Sequence, residues 1–146
     1  MAFYDGLFQL GMSLTSEIEI AKKDYFIREN NQVYAAKHYI IDLYNASDLD
    51  DINLINSTLK KCVEVSGATL ININLHYFEP NGGVCGVAVL AESHISIHTW
   101  PEKNYASLDV FMCGQTKPEL CIDVLKNAFK TENIEFELIK RGMINE

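Results

Sequence analysis

Apolar and polar residues alternate with a period of two through the middle of the chain. From position 93, Ile95, Ile97 and Thr99 alternate with His94, Ser96 and His98. From position 105, Ala106, Leu108, Val110 and Met112 alternate with Tyr105, Ser107, Asp109, Phe111 and Cys113. A period of two sends successive side chains to opposite faces, so both stretches predict two-faced strands. Residues 68–77 predict another, with Ile71, Ile73, Leu75 and Tyr77 on one face and Asn72, Asn74 and His76 on the other. Residues 84–91 form an unbroken apolar run, as expected of a buried strand. The β-branched and aromatic content of 36–44 and the alternation of 134–139 add two more. Helical spacing holds in two places. Ile52, Ile55, Leu59, Cys62 and Val63 recur on one face, with Gly67 where a helix C-terminus favours positive φ. A second helix is expected from Thr116, its cap, through Pro118 to about residue 130, turning Leu120, Cys121, Val124, Leu125 and Ala128 inward.

The order strand, helix, strand, strand, strand, helix, strand predicts an α+β two-layer sandwich, a mainly antiparallel β-sheet with helices packed on one face. The other face then needs a cover, from the N-terminal segment or from a second subunit. Residues 14–30 mix charges with scattered Ile, Tyr and Phe, and read as a helix capped by Thr15 or Ser16 and broken at Asn30 and Asn31. The expected organisation is a helical N-terminal extension over residues 1–33 and a single domain over 34–146.

Composition narrows the function classes. With 146 residues, 48% of them hydrophobic, one domain can bury a genuine core. No run approaches the roughly 20 apolar residues of a membrane helix, and no basic segment followed by an apolar stretch opens the chain. A cytoplasmic protein without membrane association is expected. A net charge of −8 argues against a nucleic-acid partner and is compatible with a cationic small molecule. The four cysteines, Cys62, Cys85, Cys113 and Cys121, lack metal-ligand spacing and are expected as free thiols. Glu92, His94 and His98 invite a metal reading. Yet positions four apart on a strand are separated by roughly 13 Å, too far for one ion, so no metal is expected. Taken alone, the histidines read equally well as locally hydrogen-bonded strand residues.

A longer pattern changes that balance. The run Glu92, Ser93, His94, Ile95, Ser96, Ile97, His98, Thr99, Trp100, Pro101, Glu102 closely resembles the processing site of prokaryotic-type S-adenosylmethionine decarboxylases, which cleave themselves and depend on a pyruvoyl group. The stretch 105–114, ending Cys113-Gly114, is similar to the strand that carries that family's catalytic cysteine. His76 to Pro80, followed by a glycine-rich turn, is similar to its aromatic-then-proline segment. The resemblance runs in order over about residues 35–141.

The resemblance implies cleavage between Glu92 and Ser93, after attack of the Ser93 hydroxyl on the Glu92 carbonyl. Ser93 would then become the pyruvoyl cofactor, which holds substrate as a Schiff base. It implies proton transfer by His98 during processing, with Cys85 as a possible assistant, and Cys113 as the proton donor in turnover. Phe78, Ile95 and Glu102 would bind substrate: a ring for adenine, a pocket wall, and an acceptor for ribose hydroxyls. It further implies a homodimer of cleaved protomers with active sites at the interface, and a role in supplying the aminopropyl donor for spermidine. Four features depart from the family pattern. Cys85 stands in place of a serine or threonine, the turn at Asn81, Gly82 and Gly83 is longer, Met112 replaces a polar residue, and residues 36–39 match only loosely. Two alternatives therefore stay open: an arginine or ornithine decarboxylase derived from the same family, and an unprocessed, non-catalytic homologue acting as a binding subunit.

Overall fold

The structure is a computed structural model that describes residues 24–145. The expected helix capped at Thr15 or Ser16 lies mostly outside those residues. Its last part does not form a helix: Ile27–Glu29 is a short strand, β1, paired antiparallel with β2 (Gln32–Tyr44). The cause is the turn between them. Asn30 and Asn31 both take positive φ, 50° and 60°, which asparagine tolerates and which the twist of a two-residue hairpin requires.

The remaining strands are β3 (Leu70–Phe78), β4 (Gly83–Leu90), β5 (Ser93–Trp100), β6 (Tyr105–Cys113) and β7 (Asn133–Ile144). All pairings are antiparallel, and the sheet runs β7-β2-β6-β5-β4-β3. β1 extends the sheet beside β2, on the edge of β2 opposite β7 and beyond the end of β6. The expected boundaries of β5 and β6 match those observed. β7 is longer than its expected 134–139, because β2 supplies a partner along almost its whole length.

Two helices cover one face. α1 (Ile52–Ser66) starts at Asp51, whose carboxylate accepts the Leu54 N–H at 3.0 Å. It ends at Gly67, where φ is +76° and the Gly67 and Ala68 N–H groups reach back to Glu64 and Val63 carbonyls. The second helix is shorter than expected. The Thr116 hydroxyl turns back to the Cys113 carbonyl at 2.9 Å instead of capping forward. A 3₁₀ turn, Pro118–Leu120, comes first, and α2 spans only Cys121–Ala128. Leu120, expected inward, is therefore 44% exposed.

The core lies between helices and sheet. Ile55, Leu59, Cys62, Cys121, Leu125 and Phe129 pack against Ile41, Leu43, Ile95, Ile97, Leu108 and Val110. Removing such side chains from water supplies roughly 1.5–3 kcal/mol each, which sets the strand register. The Cys62 thiol is pushed up by its hydrogen bond with Cys121 and by burial, so this pair behaves as core rather than as nucleophiles.

The opposite face of the sheet has no covering layer among the described residues. β4, expected as fully buried, is two-sided: Ala88 and Leu90 are buried, whereas Val89 is 39% exposed. Pairing places His38, Phe111 and His94 in one row across this open face, and His76, Cys85, His98 and Ser107 in another. All four histidines of the chain thus share one side of the sheet.

Candidate active site

The chain reverses between β4 and β5 through residues 91 and 92. Glu92 takes φ +60°, a left-handed conformation that costs an ordinary residue about 1 kcal/mol or more. The neighbouring strand holds it there. Cys113, at the end of β6, reaches back so that its thiol donates to the Glu92 carbonyl at 3.1 Å. Its backbone N–H donates to Ser93 Oγ at 3.3 Å. Ser93 Oγ also lies 3.7 Å from Cys113 Sγ, and with the thiol proton on the carbonyl the hydroxyl is the donor in that contact. Glu92, Ser93 and Cys113 therefore form one hydrogen-bonded unit. A polarised peptide carbonyl, a hydroxyl on the following residue and a thiol meet at a strained bend.

Gly114 follows at φ +65°, and its N–H donates to the Tyr25 carbonyl at 2.7 Å. Any side chain at 114 would sit in a strained backbone, although its Cβ would make only ordinary contact with the Tyr25 ring.

The other expected residues gather elsewhere. Phe78, Cys85, His98 and Glu102, joined by Trp100, which was not among the expected site residues, line a cavity of about 320 Å³ at the far end of β5, where Cys85 lies directly opposite His98 in the sheet. His76 packs edge-on against Phe78, with ring centroids 4.4 Å apart. Ser93 and His98 are five residue steps apart along the strand, roughly 17 Å of chain. Within one chain His98 cannot reach the Glu92–Ser93 peptide. The expected site residues thus fall into two groups at opposite ends of one strand. Ile95 joins neither: odd positions of β5 face the helices, and Ile95 is completely buried in the core rather than lining a cavity.

Between the two groups the open face carries a polar network that sequence reasoning did not connect. Arg141 Nη1 donates to His38 Nδ1 at 3.0 Å, which leaves Nε2–H to donate to Asp109 Oδ1 at 2.9 Å. Ser96 donates to the other carboxylate oxygen at 2.8 Å. Burial alone would raise the Asp109 pKa, but the hydrogen bonds from Ser96 and His38 outweigh it and hold the carboxyl below its ordinary value. Phe111 stacks parallel to His94 and meets His38 edge-on. Nearer the His98 end, Tyr44, Tyr105 and Trp100 stack in succession. Tyr105 donates to Asp42 at 2.5 Å, and that bond, with burial, pushes its phenol up to about 12. The period-two reading placed these side chains on one face. It gave no register between strands, and so no network.

Comparison with known proteins gives the family and the fold. Residues 37–142 match the family model described as S-adenosylmethionine decarboxylase. An S-adenosylmethionine decarboxylase proenzyme of Methanococcus maripaludis is 49% identical over 113 residues, 75% of this chain and 92% of that protein. The proenzyme of the same name from Thermomicrobium roseum is 40% identical over 109 residues, 74% of this chain and 94% of that protein. The crystal structure of the adenosylmethionine decarboxylase from Aquifex aeolicus superposes with a TM-score of 0.68 at 32% identity, covering 77% of this chain and 95% of that one.

Proposed function

The chain belongs to the S-adenosylmethionine decarboxylase family, and from that premise we propose that it is a self-processing, pyruvoyl-dependent decarboxylase of S-adenosylmethionine. The observation that carries this reading is the contact among Glu92, Ser93 and Cys113. Its product would be the aminopropyl donor for spermidine synthesis.

In processing, Ser93 Oγ adds to the Glu92 carbonyl carbon while the Cys113 thiol holds the carbonyl oxygen, where negative charge develops. The amide nitrogen leaves as an amine and an ester links the two residues. Loss of the Ser93 α-proton then expels the Glu92 carboxylate, and hydrolysis with release of ammonia leaves pyruvoyl at position 93. The left-handed bend at Glu92 favours this course, because cleavage releases its strain. The chemistry a pyruvoyl group supplies there is an electron sink for the pair left when the substrate's carboxylate departs as CO2. Cys113, adjacent to position 93, is placed to return a proton to the substrate carbon.

His98 assists proton transfer in processing, with Cys85 beside it, and Phe78 and Glu102 hold the nucleoside end of the substrate. These residues act across a homodimer. Two open faces pack together about a two-fold axis that lies in the interface and crosses the strands. Such an axis sets the Ser93 end of one β5 over the His98 end of its partner, about 10 Å away. What supports this arrangement is the separation of the two groups along β5 and the uncovered face, which carries Cys113 near one end and His98 near the other. It also covers Val89, Trp100, Ile40 and Tyr44, each now partly exposed.

The test is an intact-mass spectrum of the denatured protein after incubation with S-adenosylmethionine, arginine or ornithine and reduction with cyanoborohydride. A chain beginning at position 93, blocked by pyruvoyl and gaining the mass of decarboxylated S-adenosylmethionine alone, is the expected result. An uncleaved chain throughout, or adducts only with arginine or ornithine, would overturn the reading.

A further inference from the structure

The family match begins at residue 37, yet residues 24–29 are built into the reaction centre. The Tyr25 carbonyl is hydrogen-bonded to Gly114 N–H, β1 is paired with β2, and Arg28 and Asp24 form a two-point ion pair at 2.9 and 3.0 Å. The arm is therefore anchored by its backbone at Tyr25 itself and through β1 just after Phe26. The side chains of Tyr25 and Phe26 stand over Cys113. A cavity of about 330 Å³ is lined by Tyr25 and Phe26 together with Ala35, Ala36, Glu92, Phe111 and Cys113. The same pair and Cys113 also border a larger cavity of about 1010 Å³, whose lining includes Lys37, Lys117 and Glu119. Tyr25, Phe26 and Cys113 thus lie between an apolar chamber and a charged one.

We propose that Tyr25 and Phe26 are specificity-determining residues that wall the substrate chamber at Cys113 and keep bulk water from the thiol. This rests on the reading of Cys113 as proton donor to substrate held at position 93. A thiol that must deliver its proton to carbon works best where water cannot compete. The smaller cavity is of the size that takes a small ligand, and most of its lining is hydrocarbon or aromatic ring. Tyr25 and Phe26 are 53% and 36% exposed in the single chain, so truncating them opens the chamber without hollowing the core.

The experiment compares the full-length wild type with a Tyr25→Ala/Phe26→Ala double variant and a Tyr25→Phe variant. Each is treated briefly with iodoacetamide and mapped by peptide mass, and each is assayed for CO2 release from S-adenosylmethionine. In the double variant Cys113 should be alkylated roughly tenfold faster, KM should rise roughly tenfold, and kcat should fall as water competes for the thiol proton. Tyr25→Phe keeps the ring and should behave as wild type. Cys62 and Cys121, completely buried, must stay unmodified, which certifies the fold. Equal Cys113 alkylation in wild type and double variant overturns the inference, as does an unchanged KM in an active enzyme. If wild type releases no CO2 at all, the functional reading fails by itself. The alkylation ratio still decides whether these two residues wall the thiol.

Discussion

At the scale of single residues, Cys113 makes two separable contacts. Its thiol holds the Glu92 carbonyl and its backbone N–H holds Ser93 Oγ. Cys113→Ala removes the first and keeps the second. Self-cleavage should therefore continue, more slowly, while CO2 release falls about a hundredfold or more, as expected for loss of a general acid. Cys113→Ser keeps a donor toward Glu92 and should cleave faster than the alanine variant. A gel time course reads the first effect and CO2 release the second; full turnover by Cys113→Ala would remove the thiol from the mechanism. Ser93 and Cys113 were legible as candidates in the sequence because a run of adjacent residues carries the resemblance. The bend was not legible, because Glu92 has no side-chain feature that announces positive φ. Tyr25 and Phe26 were hidden for a related reason. A segment of mixed charge and aromatics reads as a helix until a tertiary partner such as Gly114 is known.

At the scale of elements, alternation along β5 and β6 decided their two faces in advance, since a one-residue slip would put His94, Ser96 and His98 into the core. What alternation lacks is pairing between strands. The Arg141, His38, Asp109 and Ser96 network joins β7, β2, β6 and β5, and no local pattern predicts it. That network makes stability depend on acid. The Asp109 carboxyl is held below its ordinary value in the fold. Its contribution is present above the unfolded value near 3.9 and is lost as pH falls through the lower folded value. Asp109→Asn is close in shape and cannot titrate. Melting temperature should therefore fall less steeply with pH below about 4 in Asp109→Asn than in wild type. Parallel melting curves across that range would show that Asp109 contributes nothing to acid stability. The hairpin of β1 and β2 and the length of β7 escaped the sequence reading on the same ground. Each depends on what β2 offers as a partner, not on the propensity of its own residues.

At the scale of the whole molecule, the sandwich with one bare face was readable from the order of elements, and the question it leaves is what completes the site. A single chain keeps His98 roughly 17 Å of strand from Ser93. If the site is completed by a partner, two defective chains should repair each other. Ser93→Ala cannot be cleaved in any setting, because it has no nucleophile. His98→Ala retains Ser93 but lacks its own proton-transfer group. Co-expressed, a mixed dimer sets the intact His98 of the Ser93→Ala chain over the Glu92–Ser93 peptide of the other. Cleavage products of the His98→Ala chain should then appear, from about half of those chains if pairing is random. Expressed alone, the same chain should stay whole. Cleavage of His98→Ala alone would show that His98 is not needed for processing. Its absence in the mixture would place His98 in the same chain as the bond it serves, which would require a rearrangement of β5 that its paired neighbours on both sides, β4 and β6, resist.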